Sequence, residues 1–454
     1  MLPIRTTHCD GDPLFSNRAL VSLIVPLVIE QFLAILIGIV GTVMVSSISE
    51  SAVSAISLVD SINVLLIQLF SAMCAGGAVV AAQYLGRREP LNASRAAKQL
   101  LYLSLFISLI LCALSIAFCD PLLRLFFGNL SERTLAYCRD YFYLSALSYP
   151  ALALYNGGAA LLRAMGNSKA SMWISLMMNL VNIAASALLI FGLRLEVLGA
   201  GVAALLARIL GGVVITRLLL APSGAIYISR PFHVELDKAM IGRIFSLGIP
   251  NGLENSMFQI GKLLVAGVVA SFSISVVAAN AVGNNIATMV NLPGTAIGLA
   301  MVTVVGQCMG ARDIAQAKCY TIKLLKAAYA LMFISNGALV FLAEPFVRAF
   351  QLSQEGVDAA IEVLRFHGIS AMFFWPASFT LPNAMRAAGD VKFTMVVAIL
   401  SMWIFRIALS YYLALPLGMG LMGVWVAMVV DWVARSVCFV WRYRSGKWLT
   451  HPVV

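Results

Sequence analysis

Four carboxylates, Glu30, Asp60, Glu254 and Asp431, stand inside stretches that are otherwise apolar. An ionised acid at the centre of a membrane span costs about 2.5–3.5 kcal/mol on insertion scales, so such a residue normally faces a cavity or a partner. Glu30 and Glu254 each lie one helical turn after a proline, Pro26 and Pro250. A proline inside a helix kinks it and leaves a carbonyl unpaired in the preceding turn. A carbonyl beside a carboxylate is a ready site for Na+ or for a shuttled proton. Glu254, Glu30 and Asp60 are therefore the candidate cation-coupling residues, and Na+ at Glu254 is the one metal site to expect. Asp431 reads differently, because Arg435 follows at the i,i+4 spacing that lets two side chains on a helix neutralise each other. Arg406 and Arg208 are candidates to pair with Asp431 or Asp60 across helices. Lys262 lies about 80° around an ideal helix from Glu254, where it could hold that acid ionised or snorkel towards the interface.

The elements that must carry these residues follow from composition. The chain is 454 residues long, 61% hydrophobic and only 11% charged, where soluble domains carry roughly a quarter charged residues. Twelve apolar stretches begin near Ser22, Val53, Gln99, Leu135, Met172, Val197, Ile244, Ala278, Ile322, Ile361, Phe393 and Gly423. Each runs for roughly 20 residues, enough to span a bilayer as a helix. They lack the alternation of a lipid-facing strand, which excludes a barrel. The expectation is an all-α membrane protein of about twelve transmembrane helices.

Most of the 31 basic residues fall in alternate loops, among them Arg87, Arg88, Arg163, Lys169, Arg312, Arg386 and Lys392. The positive-inside rule then puts both termini in the cytoplasm, with the protein in the cell membrane. Topology accounts for the net charge of +11, so no nucleic-acid partner is expected; the partners are the lipid bilayer and a small-molecule substrate. Met1 to Asn17 holds no uninterrupted apolar core, so the first span is the expected insertion signal. The eight cysteines show no CxxC spacing and read as small packing residues rather than disulfides or metal ligands. No cofactor is expected.

Sliding the sequence on itself by 224 positions superposes Pro26 on Pro250, Glu30 on Glu254, Gln83 on Gln307 and Arg88 on Arg312. One residue less superposes Arg163 and Gly166 on Arg386 and Gly389; another residue less superposes Gly201-Val202 on Gly423-Val424. Each unit holds an even number of spans, so the repeat is parallel, about an axis along the membrane normal. The expected organisation is a six-helix lobe over 1–220, a cytoplasmic linker over 221–240 and a second six-helix lobe over 241–454. Arg163 and Arg386, at the ends of their spans, read as loop anchors and topology signals.

The run from Pro26 to Gln31, Thr42 to Val45 and Ala52 to Asp60, followed by Gly76-Gly77-Ala78 and Ala82-Gln83-Tyr84-Leu85-Gly86, resembles the first two helices of multidrug and toxic compound extrusion (MATE) transporters. The second half adds Gly248 to Asn255, Gly306 to Arg312 and Asn383 to Asp390, so the resemblance covers nearly the whole chain. It implies a V-shaped pair of six-helix bundles that expels cationic or amphipathic compounds in exchange for Na+ or H+, an antiporter acting as a monomer and not an enzyme. It also implies that Glu254 matches an acid of the seventh helix involved in cation coupling. Two acids that the family often carries in its first lobe are replaced here by Gly41 and Ser186, which shifts coupling towards Glu254 or Glu30. Asn156, Asn179 and Asn182 are left to line a polar cavity, with Asn63. Met257, Phe258 and Trp375, with Met289, Phe374 and Trp403, are the candidates to hold a flat cation through cation–π and dispersion contacts. His367 and Pro376 stand where some members supply a further aspartate. The alternative function is a flippase of lipid-linked saccharides or another amphiphile, which should need several cations in its cavity, whereas the recurring residues here are acids. A membrane enzyme finds no HExxH, GxSxG or P-loop to support it.

Overall fold

The computed structural model describes residues 13–127, 131–222, 224–228, 235–350, 352–450 and 453, and among them it contains helices and no strand. In the first half these are α1 (Asn17–Ser46), α2 (Glu50–Gly86), α3 (Pro90–Ala117), the short α4 (Cys119–Phe127), α5 (Glu132–Ala164), α6 (Ser168–Gly192) and α7 (Glu196–Leu220). The second half holds α8 (Lys238–Val269), α9 (Ile274–Val290), α10 (Leu292–Gly310), α11 (Ile314–Arg348), α12 (Gln354–Trp375), α13 (Pro382–Ala387), α14 (Val391–Ala414) and α15 (Gly420–Arg444). Nine of the described helices are long and apolar enough to cross a membrane. Three further crossings, α5, α8 and the continuous 354–387 segment, carry more polar residues along their length, which brings the architecture to twelve spans.

The repeat is visible in the backbone. α2 is one helix over 50–86, and its counterpart over 274–310 is broken only at Asn291, ahead of Pro293. Ser49 and Ser273 cap the two starts, each accepting from the backbone N–H three residues on. Left-handed residues recur in pairs: Arg88 with Arg312, Gly166 with Gly389, Arg194 with Gly418, and Glu196 with Gly420. The last pair corrects the expected register of the final helices. Gly199, not Gly201, is the partner of Gly423. A Cβ on Gly199 would sit 3.1 Å from the carbonyl carbon of Leu189, and one on Gly423 would sit 2.9 Å from that of Leu413. The two glycines thus do the same work, letting a helix close against the end of the helix before it. The sequence offset was misled by a second glycine two residues away.

By packing, the chain falls into two units, Val25–Gly252 and Met1–Ile24 with Leu253–Val454. The units therefore begin and end inside α1 and α8, next to Pro26 and Pro250, and the described part of 221–240 belongs to the first of them. In that unit α5 is central, packed on α2, α3 and α7. Gly76 lets α2 meet the first half of α8, where a Cβ would lie 2.8 Å from Gly248 N and Ile244 O. In the other unit α12 packs on α9, α11 and α15 around Leu364, Trp425 and Trp432, while the start of α1 is tied to α11 by Leu14 N donating to Gln316 Oε1 and Phe15 N to Tyr320 Oη.

Six cysteines, Cys74, Cys112, Cys119, Cys138, Cys308 and Cys438, are free thiols, as packing residues should be. Cys319 departs from that expectation, being disulfide-bonded; Cys9 lies outside the described residues. π-helical turns at Leu188–Gly192, Pro376–Thr380 and Met402–Ala408 interrupt α6, the 354–387 segment and α14. Such turns place extra side chains on a helix face and frequently mark functional sites.

The glycine contacts generate a stability test. Gly423→Val should lower thermal stability by about 1–3 kcal/mol, the usual cost of overpacking, because the new side chain meets backbone that cannot swing away. Gly41→Ala, with nothing within 4 Å of the new Cβ, should melt at or above the parent temperature. Tryptophan-fluorescence melts of the purified protein read both, and a Gly423→Val protein as stable as the parent contradicts the assigned packing.

Candidate functional site

In the first unit, Glu30 is buried on α1, one turn past Pro26, and its carboxylate meets Arg163 from the last turn of α5. Arg163 Nη1 lies 3.2 Å from Oε1, and Ser171 Oγ donates to Oε2 at 2.9 Å. Both carboxylate oxygens are thus engaged. In the second unit Glu254 is buried on α8, one turn past Pro250, and Arg386 from the last turn of α13 reaches it with Nη2 at 2.5 Å from Oε1. Arg386 is held in turn by Asn383 Oδ1 at 3.0 Å, and Asn383 donates to the Phe379 and Thr380 carbonyls of the π-turn. Here the carboxylate is only half used: Glu254 Oε2 and Arg386 Nε are buried without a hydrogen-bond partner.

This pairing overturns the reading of Arg163 and Arg386 as loop anchors. They are the partners of the two glutamates. The signal was present in the sequence, since each arginine recurs with its acid at almost the same offset. What spacing on one helix could not show is that the end of the fourth span reaches the middle of the first. Of the two readings left open for Lys262, an ion pair with Glu254 does not form among the described residues; its Nζ lies 5.1 Å from the Phe258 ring centre.

A cavity of about 360 Å3 opens in the first unit, with Asp60, Tyr141, Asn179, Asn182 and Arg208 in its wall. Asp60 accepts from Asn63 Nδ2 at 3.2 Å and Tyr141 Oη at 3.3 Å, and Tyr149 Oη fixes Asn63 at 2.7 Å. Arg208 interacts electrostatically with Asp60 but donates to Ser148 Oγ at 2.6 Å, and the two charges form no direct ion pair among the described residues. Gly41 and Ser186 face this same cavity, so the two acids missing from the sequence would both have entered it. Asn156 is half-buried on α5 and lines neither this cavity nor the smaller one beside it, in which Glu30, Gln31 and Tyr155 meet Asn179.

The second unit has a cavity of about 180 Å3, walled by Glu254, Met257, Phe258, Phe379, Arg386 and Arg435. Beside it Asp431, fully buried, takes Arg435 Nε at 2.8 Å and Ser401 Oγ at 2.5 Å on one oxygen, with Arg406 Nη1 3.7 Å from the other. The structure thus gathers Asp431, Arg435 and Arg406 into one cluster. Of the aromatic expectations, one fails and one is met. Trp375 lies in the apolar core, stacked on Phe379 with ring centres 5.1 Å apart and seated over Gly294. Phe258 lines the cavity with Met257, as expected, and its ring also meets Lys262, Arg406 and Arg435. His367 is buried between Trp425 and Trp432, sharing a hydrogen bond with Asn291 Nδ2 at 3.3 Å.

If the Glu254–Arg386 pair is a unit, Arg386→Gln alone should destabilise the protein by about 3–5 kcal/mol, the cost of leaving a buried charge unpaired. Adding Glu254→Gln should recover a large part of that loss. A double-mutant cycle of melting or denaturation measurements reads the coupling, and strictly additive losses would show that the two side chains act separately.

The MatE family profile matches the chain twice, over residues 26–188 and 250–412, each match starting on a helix proline. An uncharacterised transporter of Bacillus subtilis, YisQ, is 27% identical over 96% of both chains. A probable multidrug resistance protein NorM of Thermotoga maritima is 23% identical, over 96% of this chain and 94% of its own. Among solved structures, an outward-facing multidrug resistance MATE transporter of the MOP superfamily superposes with a TM-score of 0.89 at 20% identity, covering 97% of this chain and 98% of that one. The paired helix prolines and acids are thus those of a repeat that a single profile recognises twice, and the chain belongs to the MATE family of multi-pass membrane transporters.

Proposed function

We propose that this protein is a secondary active exporter of small organic molecules, cationic or amphipathic, driven by antiport with Na+ or H+ at Glu254. The observation that carries the reading is the buried glutamate–arginine couple that recurs in both units but is closed in only one. Glu30 has both oxygens satisfied, by Arg163 and Ser171. Glu254 keeps Oε2 unpartnered beside a cavity. A carboxylate oxygen with no donor in a low-dielectric interior is costly, and a proton or Na+ arriving there relieves that cost. Coupling then means that the occupied and empty forms of Glu254 favour different arrangements around Pro250, where α8 passes from one packing unit to the other. Supporting the same reading, the probable multidrug resistance proteins among the relatives match over nearly their full length.

A second reading, transfer of a lipid-linked saccharide, draws support from one feature that sequence spacing concealed. Cations do gather in the second unit, where Lys262, Arg406 and Arg435 surround Phe258.

Efflux from proteoliposomes tests the proposal. With Na+ and pH gradients imposed separately, one gradient should drive export of a cationic dye such as ethidium. Glu254→Gln should reduce gradient-driven export by about tenfold or more, in the range seen when a proton-transfer group is removed, while Glu30→Gln should have the smaller effect. Undiminished transport by Glu254→Gln rules out coupling at that residue.

A further inference from the structure

We infer that the second-unit cavity receives the anionic group of an amphipathic substrate, a carboxylate, sulfonate or phosphate, held between Arg435 and Arg386 in its wall, with Lys262 beside them on the Phe258 ring. The inference deepens the export reading by naming a substrate class, and rests on that reading for its transport role.

The first support is the charge count. Around Phe258 and the adjoining cavity stand four cations, Arg386, Arg406, Arg435 and Lys262, against two carboxylates, Glu254 and Asp431. Arg386 is matched by Glu254, and Asp431 is shared by Arg435 and Arg406. Lys262 makes no ion pair among the described residues; its ammonium rests on the Phe258 ring, 5.1 Å from the centre. With the exposed Lys262 set aside, three guanidiniums still face two carboxylates, an excess that is unfavourable in apolar surroundings and that a bound anion offsets. A substrate cation would add to the imbalance, and would find the face of Phe258 already taken.

The second support is an unmet donor. Arg386 Nε is buried with no acceptor, although Arg386 lines the cavity. Guanidinium groups bind carboxylates and phosphates through paired N–H donors, more strongly than neutral donors do. The third support is size. At about 180 Å3 the cavity falls below the 300–1,000 Å3 typical of sites that enclose a whole drug-sized molecule. It suits a head group, with Met257 and Phe258 offering apolar contact to the part attached to it. Lys262 is exposed on α8 outside the cavity wall, so on this proposal it acts by attracting the anion rather than by enclosing it.

Calorimetric titration of the purified protein in phosphatidylcholine nanodiscs, with benzenesulfonate, phenyl phosphate and benzylammonium as matched probes, tests this without any gradient. The anions should bind at least about tenfold more tightly than benzylammonium, and binding should weaken as salt is raised. Lys262→Gln should weaken anion binding about fivefold or more while Lys262→Arg retains it, since both Lys and Arg supply the charge. Benzylammonium binding as tightly as the anions, no detectable anion binding, or a Lys262→Gln protein with unchanged anion affinity overturns the inference. Adding phosphatidic acid to the nanodiscs identifies the source. If it competes with phenyl phosphate, the natural occupant is a lipid head group; if it does not, the site serves a soluble anion. Charge-selective binding without gradient-driven efflux would leave this site standing and remove the export reading, and efflux without anion selectivity would do the reverse.

Discussion

The structure depends on answering a buried carboxylate inside a membrane helix with a guanidinium, and it meets that demand twice with one device. The acid sits one turn after a proline, on the helix that passes between packing units, and a guanidinium comes to it from the last turn of the fourth span of its repeat. That end of a helix carries the negative pole of the backbone dipoles, which favours a cation there. The left-handed glycines that follow, Gly166 and Gly389, turn the chain immediately after each arginine, fixing where the guanidinium can lie. Proline, acid, arginine and glycine therefore form one constraint, and each is repeated.

Around that shared device the two units have diverged. Ser171 completes the coordination of Glu30, whereas no equivalent donor reaches Glu254 Oε2. The counterpart of α2 is broken at Asn291, whose side chain enters a buried network with Asn336 and His367. Two π-turns, at Pro376–Thr380 and Met402–Ala408, bring Ser378, Phe379 and Met402 to the second-unit cavity, while among the described residues of the first unit one such turn brings Ile190 to its own. A π-turn costs helix geometry, and here it appears where the lining of a cavity is changed.

Much of this was legible in the sequence, and what was not follows a pattern. Apolar length gave the helices, the basic loops their alternation, and the offset of Glu30 and Glu254 the repeat, because these depend on local composition or on identity at a distance. The partners of those acids were missed because spacing describes faces of one helix and says nothing of which neighbour the face meets. The same limit hid the three cations at Phe258, which come from α8, α14 and α15, and placed Trp375 at a cavity when the small Gly294 makes room for it in the core. The pairing of Asp431 with Arg435 could be read because both lie on one helix. The final register slipped because glycines were matched by identity, when what is repeated is the close approach of backbone at Gly199 and Gly423.

The first-unit cavity shows how the loss of two acids is accommodated. Gly41 and Ser186 share a wall with Asp60 and Arg208. With acids at both positions the cavity would have gathered three carboxylates against one guanidinium, and like charges held together in a low-dielectric site cannot all ionise. Such a cavity must bind protons or metal ions to exist. As it stands, one carboxylate faces one guanidinium, with Asn63 and Tyr141 donating to Asp60 and Ser148 accepting from Arg208, so each group has hydrogen-bond partners of its own. On the antiport reading, occupancy by the coupling ion is then no longer a condition of this cavity's stability. That condition passes to Glu254, the acid in the other unit left with an unanswered oxygen.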